Sequence, residues 1–169
     1  MHIERWRDLP SDALGALIAE SEQAGLGFVR RLVDEWASSA NRFDHPGEAL
    51  FAAVLDGRVI GVCGLNVDPY AGAPRVGRVR HLYVLTAHRR LGVGRQLVGA
   101  VIEAARNQFA ELRLRTASPA AAALYERLGF SRCTDVTAST HQLRRVDADR
   151  RQVSTGVSER APHSLQEPS

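Results

Sequence analysis

Residues 76–116 constrain the architecture more than any other stretch of the chain. They run from a strand-like segment, Val76 to about Val84, through a glycine-bearing passage into an amphipathic helix from Gly94 to about Asn107. The alternating segment Glu111-Leu112-Arg113-Leu114-Arg115-Thr116 follows. In the helix Leu97, Val101 and Ala105, with Val98 and Ile102 beside them, form one apolar face. A strand, a helix and a second strand of this length are expected to close as a parallel crossover pair.

The flanking segments supply antiparallel partners and covering helices. Leu50–Leu55 and Arg58–Leu65 read as strands joined by Asp56-Gly57, a strong hairpin signal. Upstream, Leu14, Leu17 and Ile18 fall at helical spacing behind Ser11, so a helix is expected from Ser11 to about Ala24. Gly25 and Gly27 break it, and Phe28, Leu32, Val33 and Trp36 mark a second helix ending near Ser39. Asp44–Gly47 and Asp68–Pro74 read as loops. Ser118-Pro119 opens a further helix that Gly129 stops. Short strands are expected near Phe130–Thr134 and Thr140–Val146. The polar, aperiodic stretch 147–169 reads as a mobile tail behind a domain of residues 1–146. This order predicts one α/β domain of the α+β type, its mixed central sheet of about six to seven strands flanked by helices.

Composition removes several classes of function. No segment approaches the roughly 20 continuous apolar residues of a membrane span, and Met1–Trp6 lacks the apolar run of a secretory signal. Cys63 and Cys133 stand in no metal-ligand or redox spacing, so no metal is expected and a reducing cytoplasmic setting fits. All 22 basic residues are arginine, yet they are scattered among acids and the net charge is only +3. Nucleic acid is therefore a poor partner.

The densest chemical signal is Arg89-Arg90-Leu91-Gly92-Val93-Gly94-Arg95, which leads directly into the helix. A glycine-rich turn at a helix start leaves backbone N–H groups unpaired at the positive end of the helix dipole, where a phosphate or pyrophosphate can sit. Arg89, Arg90 and Arg95 add countercharge. The loop lacks the Lys-Ser/Thr of a nucleoside-triphosphate loop, and Leu97 stands where a dinucleotide fingerprint needs its third glycine. Taken alone, it is equally consistent with an ordinary glycine-rich turn.

Arg89-x-x-Gly92-x-Gly94 after Leu82-Tyr83-Val84 resembles the coenzyme A pyrophosphate loop of the GNAT superfamily of acyl-CoA N-acyltransferases. Ala121-x-x-Leu124-Tyr125-x-x-x-Gly129-Phe130 resembles the helix that follows the fifth strand in that family. The two motifs stand in the family's order, separated by one helix and one strand. The resemblance spans roughly residues 3–146 and is strongest over 79–130.

It implies a parallel strand pair splayed around a coenzyme site and a transfer of acetyl from acetyl-CoA directly to a primary amine. It also implies roles for particular residues. The backbone of Leu82, Tyr83 and Val84 would face the pantetheine arm and the thioester, with an oxyanion donor at or near Val84. The stretch Arg89, Arg90, Leu91, Gly92, Val93, Gly94 and Arg95 would hold the pyrophosphate. Tyr125 matches the family's general acid, the alternative being a packing tyrosine. Ser118 stands where many members carry an asparagine that touches the pantetheine, and it suits a plain N-cap equally well. His81-Leu82-Tyr83-Val84-Leu85 resembles the arylalkylamine acetyltransferases, which carry histidines at the first and third positions; only His81 is kept, as a candidate base or a packed residue.

The acceptor is less legible. Asp34, Glu35, Glu48 and Asp68 offer charge for a cationic amine, and Trp36, Phe43 and Tyr70 offer apolar surface. A transferase using a longer acyl-CoA and a non-catalytic acyl-CoA sensor share the same motifs. Homodimers are frequent in the family.

Overall fold

Asp56 and Gly57 both adopt positive φ, 50° and 73°, and so close the two-residue hairpin between strands Ala49–Leu55 and Arg58–Val67. The computed structural model describes residues 1–10 and 12–145. In chain order the elements are β1 (His2–Trp6), α1 (Gly15–Gln23), α2 (Phe28–Ala37), β2 (Ala49–Leu55), β3 (Arg58–Val67) and β4 (Val76–Val84). A 3-10 turn at Thr86–His88 leads to α3 (Val93–Ala105), β5 (Glu111–Leu114), α4 (Pro119–Arg127), β6 (Ser131–Arg132) and β7 (His141–Arg144). One seven-stranded sheet results, in the order β1-β2-β3-β4-β5-β7-β6. Its β4–β5 pair is parallel and its other pairs are antiparallel, so the mixed sheet and the crossover stand as expected.

The sheet is apolar on both faces. Leu97, Val98, Val101 and Ala105 of α3 pack with Cys63, Val79, Val84, Leu112, Leu114 and Tyr125 on one face. Leu17, Ile18, Val29 and Leu32 of α1 and α2 pack with Leu50, Val62 and Tyr83 on the other. Tyr83 and Val84, adjacent on β4, thus point to opposite layers.

Two irregularities shape the middle of the sheet. Val62 pairs with Tyr83 but Gly64 pairs with Arg80, so His81 and Leu82 together oppose the single residue Cys63. This is a β-bulge, and His81 takes φ 58° within it. The parallel ladder joins only Val76–Glu111, Gly77–Leu112 and Arg78–Arg113. Beyond Arg78, β4 runs on to Val84 without pairing to β5, and the two strands splay.

Two expectations change in detail. Strand β1 is additional: its Glu4 and Arg5 interrupt any apolar run, and it is formed by pairing with β2 some fifty residues away. Helix α1 starts at Gly15 behind Leu14, which caps with no side chain, while Ser11 lies outside the described residues. The 147–169 tail and Val146 also lie outside them.

Candidate active site

The loop that follows β4 has the geometry of an anion cradle. Gly92 is the N-cap of α3 and takes φ 80°, a left-handed conformation that a side chain strains. A Cβ there would meet nothing within 4 Å, so the space in front of it is open. The first intrahelical bond runs from Gln96 N–H to Gly92 O at 3.0 Å. The N–H groups of Val93, Gly94 and Arg95 therefore stand in the first turn without helical acceptors. At Gly94 the constraint is closeness instead: a Cβ would lie 3.1 Å from Leu124 Cδ2, so α4 packs tightly against the start of α3.

The sequence-nominated loop residues divide by environment. Arg90 and Arg95 are exposed, as is Leu91 at 69%, whereas the Val93 side chain is buried and anchors the loop to the core. Arg89 folds back on β4: its Nε–H donates to Val84 O at 2.8 Å, and its guanidinium lies 5.3 Å from the Tyr83 ring centroid.

Leu85 N–H donates to Ile60 O at 2.9 Å. Alternation then turns the N–H and C=O of Leu82 and Val84 away from β3, into the splay between β4 and β5. The Leu82 and Val84 side chains face the α3 layer, while Tyr83 faces the α1/α2 layer. Its hydroxyl donates to Glu20 Oε1 at 2.9 Å.

Tyr125 sits on α4 at 5% exposure, edge-on to Phe130 at 5.5 Å and 6.5 Å from His141. Among the described residues no hydrogen bond engages its hydroxyl. Burial, together with the neighbouring Cys63, pushes the phenol well above its ordinary range. Cys63, on β3 opposite the bulge, is itself pushed up to about 12 by burial and stays a neutral thiol. Ser118 caps α4 by accepting the Ala121 N–H at 3.2 Å, so its hydroxyl oxygen already has a partner.

His81 is 8% exposed and packed between Phe28 and Phe43, whose ring centroids lie 6.5 and 6.2 Å away. Its Nδ1 lies 3.0 Å from the Phe28 carbonyl, which can only accept, so Nδ1 carries the proton and Nε2 the lone pair. Nε2 is buried with no partner. Burial, reinforced by the Arg80 and Arg31 charges, lowers the ring's pKa to about 3 against the opposing pull of the Phe28 carbonyl.

Glu20 escaped sequence reasoning, because nothing in a helix containing both Glu20 and Glu22 distinguishes the two. Its Oε1 accepts from Tyr83 OH, Thr86 N–H at 2.8 Å and Thr86 Oγ1–H at 2.9 Å, tying α1 to the end of β4. Burial acts to raise its pKa, but these donors outweigh it and hold the carboxyl below its usual range.

Each of the four acids nominated for a cationic acceptor lies beside an arginine or a backbone donor. Glu48 accepts the N–H groups of His45 and Val67. Asp68 pairs with Arg78 at 3.4 Å, and Glu35 lies 3.7 Å from Arg80. Asp34 lies beside Arg30 on the exposed side of α2. Of the aromatics, Phe43 is buried and Trp36 packs on the α1/α2 core, while Tyr70 is 56% exposed beneath the Arg78 guanidinium.

The model of the acetyltransferase (GNAT) family matches residues 18–130, a span that contains both the loop and the Tyr125 helix. The chain belongs to the GNAT acetyltransferase family. A candidate acetyltransferase from Exiguobacterium sp. 255-15 is similar at 29% identity over 85% of this chain and 92% of that one, with a TM-score of 0.76. A ribosomal-protein-alanine N-acetyltransferase from Brucella melitensis shares the fold at 21% identity, over 84% and 95% of the two chains, with a TM-score of 0.61. A GNAT-family acetyltransferase from Staphylococcus aureus Mu50 does so at 16% identity, over 83% and 96%, with a TM-score of 0.63. Membership places this GNAT chain among the acyltransferases, whose family generally uses acetyl-CoA. Among its described residues no helix is long and apolar enough to cross a membrane.

Proposed function

We propose that the chain transfers the acetyl group of acetyl-CoA to a primary amine in a single direct step. The observation that carries this reading is convergence: the N-terminus of α3, the cleft-facing backbone of Leu82 and Val84, and the Tyr125 layer border one splay between β4 and β5. The unpaired N–H groups at Gly92–Arg95, with Arg90 and Arg95, suit the pyrophosphate. The cleft-facing N–H groups of β4 suit an oxyanion developing on the acetyl carbonyl. Acetyl-CoA supplies an activated thioester, whose thiolate must be protonated as it leaves. Tyr125 is the candidate donor: it is protonated throughout the usable pH range, although the burial that keeps it so also makes the phenol a weaker acid.

His81 is a weak base in this setting. With its Nδ1–H held by Phe28 O, it serves to fix the bulge rather than to store a proton. The acceptor must then reach its neutral form through solvent, so kcat/KM should rise with pH towards the acceptor's own amine pKa.

A coenzyme A release assay across a panel of amines tests the proposal. Tyr125→Phe should lower kcat by about 10² to 10⁴-fold while acetyl-CoA still binds. Acetyl-CoA binding with no turnover of any amine by the unmodified protein would point instead to a non-catalytic sensor.

A further inference from the structure

The coenzyme and the acceptor need different entrances to the splay. Tyr125, Val84 and the α3 N-terminus occupy one face of the sheet, which leaves the α2 face for the amine. That face is rich in guanidinium groups. Arg78 of β4 pairs in register with Arg113 of β5. Leu112 and Leu114 point into the α3 core, so the alternation of β5 directs Arg113, and next Arg115, towards the α2 side. Arg80 lies on the same side, opposite Glu35 of α2. Arg31, one turn before Glu35, acts together with Arg80 on His81.

The local acids do not balance this charge. Asp68 serves Arg78, and Glu111 serves both Arg113 at 2.6 Å and Arg144 at 3.6 Å. Glu35 reaches Arg80 only at 3.7 Å, beyond hydrogen-bond distance, and its Oε2 is buried without a hydrogen-bond partner. Arg115 is exposed and has no ion pair among the described residues. A purely cationic amine would meet repulsion at this entrance, whereas a carboxylate or phosphate would meet donors with the matching planar geometry.

We infer that the acceptor is an amine that also carries an anionic oxygen group, with Arg115 and Arg80 at the α2-side mouth of the β4–β5 splay as its specificity determinants. The inference rests on the acetyl-transfer reading and adds the acceptor's chemical class to it.

Coenzyme A release is measured for glutamate against glutamine α-amide, for phosphoethanolamine against ethanolamine, and for spermidine. The expected result is a preference of about tenfold or more in kcat/KM for the anionic member of at least one pair. Which pair shows it tells carboxylate from phosphate. Arg115→Leu should bring that ratio close to one through the acceptor's KM, with the KM for acetyl-CoA unchanged, and Arg115→Lys should restore part of it. An Arg80→Leu variant provides the same readout from the opposite strand. No preference for the anionic member in either pair, or a preference for spermidine over every anionic acceptor, overturns this inference while upholding acetyl transfer. Preference for the anionic member that survives both leucine variants overturns the assignment of the two arginines. No coenzyme A release with any of these acceptors, while another amine of the wider panel turns over, overturns this inference alone.

Discussion

His81→Asn isolates the energetic cost of the buried bulge histidine. Asparagine tolerates the positive φ of 58° and retains an N–H donor for the Phe28 carbonyl, but it does not titrate. In the folded protein burial lowers the His81 pKa to about 3, from about 6.5 in an unfolded chain. Below pH ~6.5 the unfolded state binds a proton that the folded state refuses. The stability gained by keeping the ring neutral is therefore complete above the unfolded value and is lost as pH falls towards the folded one. At about 1.4 kcal/mol per unit, lowering the pH from 7.5 to 4.5 should cost about 3 kcal/mol through this residue. Urea denaturation of both proteins at a series of pH values measures it. The carboxylates held low in the folded state, Glu20 and Glu126 among them, lose stability over the same range in both proteins and cancel in the difference. The unmodified protein should thus lose about 3 kcal/mol more than His81→Asn. Parallel curves would show that His81 titrates normally, and would undo both its burial and its exclusion as a proton store.

Two further substitutions probe how the site is held. Gly94→Val should cost about 1–3 kcal/mol, because its Cβ would start 3.1 Å from Leu124 and the added methyls would push α4 away; thermal denaturation should show a Tm lowered by several degrees. Glu20→Gln should weaken the tie between α1 and the end of β4 by replacing an ionised acceptor of three hydrogen bonds with a neutral one; hydrogen exchange should show faster opening at Thr86, and unchanged protection there would dismiss the clamp.

The legible parts of the fold were those written in local signals. The Asp56-Gly57 turn, the apolar face of α3 and the Ser118-Pro119 start of α4 each depend on neighbouring residues, and each formed where the chemistry placed it. β1 was illegible because its pairing with β2 is non-local. The bulge was equally hidden, since a histidine at positive φ has no sequence mark and only the shift between Val62 and Gly64 reveals it. The loop could be nominated from its glycines at a helix start, and Tyr125 only through the resemblance to the acyltransferase family. The engagement of Asp68, Glu35 and Glu48 could not, because their partners lie on other elements.

The role of the α3 N-terminus as the coenzyme cradle is tested most directly by titrating acetyl-CoA calorimetrically into the unmodified protein and into Gly92→Glu. Glutamate there would strain a φ of 80° and place a negative charge in the open space before the free N–H groups. Saturable binding to the unmodified protein, lost in a Gly92→Glu variant with intact circular dichroism, is the predicted result. Binding of equal affinity to both proteins would contradict it and move the coenzyme site elsewhere on the sheet.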